Sequence, residues 1–326
     1  MRPFRFWQNP PDAPGWQAHL LAPLGALYAA GTARRLRRGV PYQVGVPVIS
    51  VGNLNAGGTG KTPTVIAMVD LLAARQPHIV LRGYGGALTG PLRVDLAKHS
   101  ATDVGDEALL LAAFAPTWVS QDRAAGAALA RDAGAGVVLL DDAHQNPGAA
   151  KTLALVVVDA ERGFGNGRVL PAGPLREPVA TGLARADMVV AIGDAAAQAR
   201  FDRIWASAVD VPVARARLEM LDTGMDWTGQ KVLAFAGIGR PEKFFRTLRD
   251  TGADILRAEA LDDHQPLTDA LMKRLEIEAQ ALGAQLVTTE KDAVRLPPAF
   301  RSRVLALPVR LRFQDMGGLD ARLAGL

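Results

Sequence analysis

The sequence predicts an α/β fold with a mostly parallel sheet, and three observations predict it. Short Val/Ile/Leu runs recur between helical stretches. Most of these runs lack polar alternation, as strands buried on both faces do. One of them leads straight into a glycine-rich turn and a helix, the layout of a phosphate site. The runs are "VPVIS" (46–50), "HIVL" (78–81), "TWVS" (117–120), "GVVLL" (136–140), "LALVVV" (153–158) and "DMVVAI" (187–192). "TPTVIAMVDLLAAR" and "GDEALLLAAFA" are helical stretches between them.

Before the first strand, "HLLAPLGALYAAGTA" is apolar and is followed by "RRLRR" (34–38). The stretch is shorter than the roughly 20 apolar residues of a membrane-spanning helix. Trp16, Leu20, Leu24, Leu27 and Tyr28 fall near one helical face. An apolar face with a basic flank is the pattern of a helix lying in a membrane interface. An ordinary surface helix packed on the core fits the same pattern. No small-residue cleavage site of a signal peptide follows the stretch.

The glycine-rich turn is "NLNAGGTGKTP" (53–63). Backbone N–H groups of such a turn and of the following helix cradle phosphate. The predicted nucleotide contacts are Asn55, Ala56, Gly57, Gly58, Thr59, Gly60, Lys61 and Thr62. Lys61 reaches the β- and γ-phosphates, and the Thr62 hydroxyl ligates Mg²⁺. The usual P-loop pattern has glycine where this chain has Asn55. Asparagine tolerates positive φ, so the expectation is a left-handed turn residue there.

"GVVLLDDAHQN" ends a buried strand in Asp141 and Asp142. A carboxylate at that edge, beside a phosphate loop, holds Mg²⁺ directly or through water. A guanine reader of the N-K-x-D type is missing, because Lys291 and Asp292 in "TTEKDAV" are adjacent. Adenine is therefore the expected base, and Thr289 and Asp292 cap a helix.

Other polar groups stand at strand ends or helix starts. Arg82 and Tyr84 lie in "LRGYGG", Arg123 in "QDRAAG", and Arg176 and Glu177 in "LPAGPLREP". Asp106 and Glu107 open a helix, where the dipole favours acids. His264 follows Asp262 and Asp263 in "LDDHQPL".

The chain of 326 residues is long enough for about two domains. The expected division is an N-terminal helix region (1–38), a P-loop core (39–210), a smaller second α/β domain (222–303) and a tail (314–326). Residues 211–221 and 304–313 both alternate apolar and polar, and are expected to pair as a two-stranded connector. Hydrophobic residues make up 49% of the chain, enough for a sizeable core. The absence of cysteine excludes disulfides and thiolate metal sites. A net charge of +4, with no long basic tract and no aromatic stacking motif, argues against nucleic acid.

Taken in order, "SVGNLNAGGTGKTP", "RGYGG", "VGDEALLLA", "QDR", "LLDDAHQN", "LPAGPLREP", "FAGIGRPEKFF", "DDHQPL" and "TTEKDAV" resemble the tetraacyldisaccharide 4'-kinase family of lipid A biosynthesis. The resemblance spans roughly residues 15–313. It implies transfer of the ATP γ-phosphate, with Mg²⁺, to the 4'-hydroxyl of an acylated, phosphorylated glucosamine disaccharide. It places the enzyme on the cytoplasmic face of the bacterial inner membrane and implies no obligate protein partner. By this resemblance Asp106 and His264 act on the acceptor hydroxyl, and Lys61 and Thr62 serve phosphate and Mg²⁺. Asp141, Asp142 and Glu107 surround the metal, while Arg82, Tyr84, Arg123, Arg176 and Glu177 line the cleft. The family commonly has "DDGFQH" where this chain has "DDAHQN", which makes His144 a candidate contact for nucleotide or lipid head group. A membrane-associated nucleotide-switch ATPase is the alternative reading, and it does not need Asp106 and His264 to converge.

Overall fold

The computed structural model describes residues 4–263 and 265–326. Within them the chain folds around two sheets. The strands are β1 (Val48–Gly52), β2 (Pro77–Leu81), β3 (Leu92–Arg93), β4 (Thr117–Val119), β5 (Val137–Asp141), β6 (Leu153–Asp159), β7 (Met188–Ile192) and β8 (Val213–Met220). Then come β9 (Lys231–Ala236), β10 (Asp254–Ala260), β11 (Gln285–Thr289), β12 (Val304–Leu307) and β13 (Val309–Asp315). The large sheet runs β13-β8-β7-β6-β1-β5-β2-β4-β3, and the smaller one β10-β9-β11-β12. Only the outermost strands of the large sheet, β13 and β3, pair antiparallel.

The helices are α1 (Trp16–Arg38), α2 (Lys61–Leu71), α3 (Ala101–Val104), α4 (Asp106–Ala112), α5 (Arg123–Asp132) and α6 (Val179–Leu183). They continue with α7 (Ala195–Trp205), α8 (Pro241–Asp250), α9 (Asp269–Leu282), α10 (Glu290–Ala293) and α11 (Leu319–Ala324). The unbroken apolar runs are explained by helices on both faces of the large sheet. Ile49, Val51, Leu139, Leu155 and Val157 point to one face, against Val65 and Met68 of α2 and Leu111 of α4. Their chain neighbours split over the other face. Val48, Val138 and Leu140 meet Ala127 and Ala130 of α5, while Val156 and Val158 meet Phe201 and Trp205 of α7.

This arrangement puts β1 between β5 and β6. Loops that leave neighbouring strands toward opposite faces open a crevice at their carboxyl ends, where ligands bind.

Residues 304–313, expected as one connector strand, are two. Residues 304–307 form β12, an edge strand of the smaller sheet paired parallel with β11. Pro308 ends it, since proline lacks the N–H a ladder needs. The chain then re-enters as β13, and Val309 pairs with Met220 and Leu311 with Leu218 of β8. β8 in turn pairs parallel with β7, so the β8–β13 pair is an extension of the large sheet and not a free ribbon.

Helix α1 rests on the core through small residues. Ala18, Gly25 and Thr32 are buried at seven-residue spacing. A Cβ on Gly25 would come within 2.9 Å of the Val169 carbonyl, so glycine lets the helix approach that loop. The large apolar residues point away: Leu20 is 69% exposed and Leu27 70%, with Trp16, Leu24 and Tyr28 beside them. No helix among the described residues is long and apolar enough to cross a membrane.

Candidate active site

The phosphate loop is shaped first by its own neighbours. Asn53 is buried, and its Nδ2 donates to the Gly57 carbonyl at 3.2 Å and to Thr59 Oγ1 at 3.0 Å. These bonds fold the loop back on itself. The turn is made at Gly57 (φ 110°) and Gly60 (φ 99°), conformations open to glycine. Gly60 caps α2, which begins at Lys61, so the helix N-terminus faces the loop's interior.

Asn55 corrects an expectation. Its φ is not positive, and the turn does not need it to be. Asn55 instead forms an antiparallel bridge with Leu175, and its Nδ2 donates to the Gly163 carbonyl at 3.1 Å. Two further bonds complete the seam: Ala56 N to the Pro174 carbonyl and Arg176 N to the Leu54 carbonyl, both 2.7 Å. The backbone of this stretch ties the loop to "LPAGPLREP", and the Asn55 side chain ties it to Gly163. A glycine could not supply that side-chain bond.

Asp141 and Asp142 close the other wall. Asp141 is buried, and its Oδ1 finds no hydrogen-bond donor among the described residues. Burial, reinforced by the negative charge of Glu107, pushes its carboxyl up to about 7. Asp142 follows at φ 51°, which turns its side chain toward Arg176. Arg176 grips it with two bonds, 2.8 and 3.2 Å, and Lys61 Nζ lies 3.6 Å from the same carboxylate. Burial raises its carboxyl, but Lys61 and Arg176 outweigh this and hold it below the usual range. Next to Arg176, Glu177 is buried and accepts two 2.8 Å bonds from Arg185 and one of 2.9 Å from Gln145. Gln145 Nε2 also donates to the Asn53 carbonyl at 2.9 Å. Glu177 therefore organises the loop from below.

Arg123 is buried at the start of α5, where its guanidinium donates to the Ser120 carbonyl. Burial lowers its pKa, while Asp141 and Asp142 favour its charge and Arg82 opposes it. Arg82 and Tyr84 are exposed after β2. His144 does not face the cleft. It is buried with Nε2 2.9 Å from the Gly182 carbonyl, and its Cβ packs where any side chain on Gly52 would sit, 2.5 Å away. Burial depresses it to about 4, so it is neutral at physiological pH. Asn146 accepts from Gly148 N at 2.8 Å and shapes the turn.

Asp106 and Glu107 begin α4. Asp106 is buried, and its Oδ1 accepts from the Glu107 backbone N–H at 2.8 Å. The second sheet reaches them: Lys291 Nζ lies 3.3 Å from Glu107, and Arg295 Nε 3.6 Å from Asp106. The charge of Glu107 also acts on Asp141. His264, the expected partner of Asp106, lies outside the described residues. The cap expected at Thr289 is present, with Asp292 N donating to its hydroxyl at 3.1 Å. Lys291 and Arg295 were missed by the sequence reading, because their spacing carries no signal pointing to α4. Asn53 was missed too, though its place six residues before Thr59 was a readable hint.

Thr62, Asp141, Asp142 and Glu107 offer oxygen donors of the kind Mg²⁺ takes. The unsatisfied Asp141 Oδ1 fits a ligand or metal-bound water. No group of three or more His, Asp or Glu among the described residues converges as a metal cage. Mg²⁺ suits such a site, because it keeps several waters and uses one or two carboxylates with substrate phosphates.

The family model for LpxK, tetraacyldisaccharide-1-P 4'-kinase, matches residues 17–326. The chain is 62% identical to a tetraacyldisaccharide 4'-kinase of Dinoroseobacter shibae, covering 99% of this chain and 97% of that one. It is 59% identical to a tetraacyldisaccharide 4'-kinase of Jannaschia sp., covering 98% of each. Its fold is similar to a crystal structure of LpxK from Aquifex aeolicus in complex with ATP, at a TM-score of 0.76 and 25% identity, covering 94% of this chain and 98% of that one. The chain belongs to the tetraacyldisaccharide-1-P 4'-kinase family.

Proposed function

We propose that this chain transfers the γ-phosphate of ATP to the 4'-hydroxyl of a tetraacylated glucosamine disaccharide 1-phosphate, in lipid A biosynthesis. One observation carries the reading beyond nucleotide binding. Glu107, next to Asp106 at the head of α4, acts electrostatically on the buried Asp141 beside the P-loop. The acids of α4 thus share one low-dielectric pocket with the phosphate loop, as in-line transfer to a hydroxyl requires.

Phosphoryl transfer depends on positioning and charge neutralisation more than on covalent chemistry. The loop amides from Gly57 to Gly60 and the N-terminus of α2 bind the β- and γ-phosphates, and Lys61 neutralises the charge that develops there. The Ala56 N–H, expected as a nucleotide contact, donates instead to the Pro174 carbonyl. Mg²⁺, when bound, would neutralise phosphate charge, and Thr62, Asp141, Asp142 and Glu107 are the residues that would hold it. Arg176 orients Asp142, and Arg123 adds positive charge behind the pair. Asp106 accepts the proton of the sugar hydroxyl, and His264 orients it or relays that proton. A base in this position contributes about 10²–10⁴-fold. Arg82 and Tyr84, at the open edge, face the acceptor.

Residues 39–210 form the nucleotide core and 222–303 the closing unit, joined through the β8–β13 pair. Residues 314–326, expected as a tail, instead carry the end of β13 and α11, whose Leu319 and Leu323 are buried in the core of the large sheet. Closure excludes water and limits idle hydrolysis. The apolar face of α1, with Arg34, Arg35, Arg37 and Arg38 behind it, lies in the interface at the cytoplasmic face of the inner membrane. The test is turnover of γ-labelled ATP with the acceptor lipid in mixed micelles. Label in the lipid supports the kinase, whereas free phosphate alone, unaffected by lipid, would falsify it.

A further inference from the structure

Arg295 sits just past α10 and its side chain is buried. Four separate pieces of chain meet on its guanidinium. One terminal nitrogen donates to the Gln265 carbonyl at 2.9 Å. The other donates to the Gly237 carbonyl at 3.2 Å and pairs with Asp292. Asp292 is itself fully buried, accepting from Gly237 N at 3.1 Å and Thr289 Oγ1 at 2.7 Å. The fork is therefore locked to the end of β9, to Gln265 and to α10. Nε takes no part in these bonds. It is buried without a hydrogen-bond acceptor among the described residues, and it points across to Asp106 Oδ2 at 3.6 Å.

That distance is a charge contact and not yet a hydrogen bond. A buried donor left without an acceptor costs about 1–3 kcal/mol. The cost is removed by a sub-ångström approach of Arg295 to Asp106. Catalytic hydrogen bonds that are long in a ligand-free protein commonly tighten in the reactive complex. The opposite oxygen of Asp106 is already fixed by the Glu107 N–H at 2.8 Å. A bond from Arg295 Nε to Oδ2 would help set the rotation of the carboxylate and so aim it.

We propose that Arg295 is a positioning residue for phosphoryl transfer. Its Nε–H closes onto Asp106 Oδ2 when the second sheet docks, and it orients that carboxylate toward the acceptor hydroxyl. The proposal rests on the reading of Asp106 as the acceptor-side base. It also couples the base to the second sheet through a planar fork that lysine cannot reproduce. Arg295 touches neither phosphate nor metal ligand in this role, so ATP binding does not depend on it.

The experiment measures kcat with the disaccharide lipid, and ATP Kd separately, for Arg295→Ala, Arg295→Lys and Asp106→Asn in the full chain. Misplacement of a catalytic group by about 1 Å can cost 10²-fold, so Arg295→Ala is expected to lose about that much in kcat. Its ATP Kd should stay within about twofold, and millimolar guanidinium should restore part of kcat, which a purely structural defect would not allow. Arg295→Lys keeps the charge and the fold but not the fork, and should lose about tenfold in kcat with ATP Kd and melting temperature unchanged. If Arg295→Ala does not fold, the lysine variant carries the test. Wild-type kcat in either folded variant overturns the proposal. So does a loss matched by weakened ATP binding and insensitive to guanidinium. Asp106→Asn separates the two levels. If it retains wild-type kcat, the base reading falls. If it is inactive while Arg295→Ala is not, only the positioning role falls.

Discussion

The donor wall and the acceptor wall of the cleft are held in different ways. The phosphate loop is shaped mostly by residues close to it in sequence: Asn53 bonds Gly57 and Thr59, and glycine supplies the positive φ at 57 and 60. The acceptor acids, by contrast, are met by side chains more than 180 residues away, Lys291 on Glu107 and Arg295 near Asp106. The turn of the first wall forms by local folding, and its seam to Pro174 and Arg176 is already made within the large-sheet unit. The second is complete only when the two sheets meet. This difference suits a kinase with a sugar hydroxyl as acceptor, because the base is aimed only after closure has excluded water.

The sharpest way to break this comparison is to remove the base. Asp106→Asn should lower kcat by about 10²–10⁴-fold while ATP affinity, measured by equilibrium binding, changes little. A parallel loss of nucleotide binding would mean that Asp106 belongs to the donor wall, and the division would fail.

A second effect concerns where the acceptor arrives from. Leu20 and Leu27 expose their side chains on the outer face of α1. Burying each in a membrane interface is worth about 1.5–3 kcal/mol, so Leu20→Glu with Leu27→Glu should cut partitioning into anionic liposomes by about 10²-fold or more. Soluble ATP binding should not move. Unchanged sedimentation with vesicles would remove α1 from the acceptor side.

Sequence reading and structure diverge for a reason that follows the same division. The strands, the loop, Lys61 and the two aspartates were legible because they are local patterns. The conformation of Asn55 was not, since it is set by Leu175, far along the chain. Nor was the break in 304–313, where both halves alternate but Pro308 sends them to different sheets. Arg295 reads as one more charged residue near a helix end until the fold brings Asp106 to it. His144 stood out because it departs from the family's "DDGFQH" pattern, yet the turn after β5, with Asp142 at φ 51°, carries it into the core beside Gly52.

That buried histidine gives a third test, on the donor wall. Its folded pKa is about 4 against an ordinary 6.5. A depressed value means that the unfolded chain binds the proton more readily. The stability is therefore fully present above pH 6.5 and is lost as pH falls toward 4. At pH 5 the loss is about 2 kcal/mol. His144→Phe removes the titrating group, and its denaturation midpoint should fall less than wild type between pH 7 and pH 5. An identical fall in both proteins would place the acid sensitivity elsewhere.

The smallest effect is the one that bears most directly on how the walls meet. Arg240, before α8, and Lys243, on it, reach across to the end of β6. Arg240 pairs with Asp159 and with Glu161, and Lys243 Nζ lies 2.8 Å from Asp159. Asp159 is buried, whereas Glu161 and Lys243 are partly exposed. Partly exposed pairs contribute little, about 0.2–1 kcal/mol, but the Asp159 end is shielded from solvent and counts for more. The same turn carries Gly239, where an added Cβ would lie 4.0 Å from Gly58 N of the phosphate loop. These ion pairs therefore hold the "GIGRP" turn over the phosphate loop. Asp159→Asn should raise the KM for ATP by about three- to tenfold and leave kcat at saturation within about twofold. The wild-type KM should rise with salt and the variant's should rise less, because screening acts on the pairs that the substitution has already weakened. A fall in kcat at unchanged KM would show instead that the latch acts on Asp106 through the second sheet, and the two walls would then have to be treated as one.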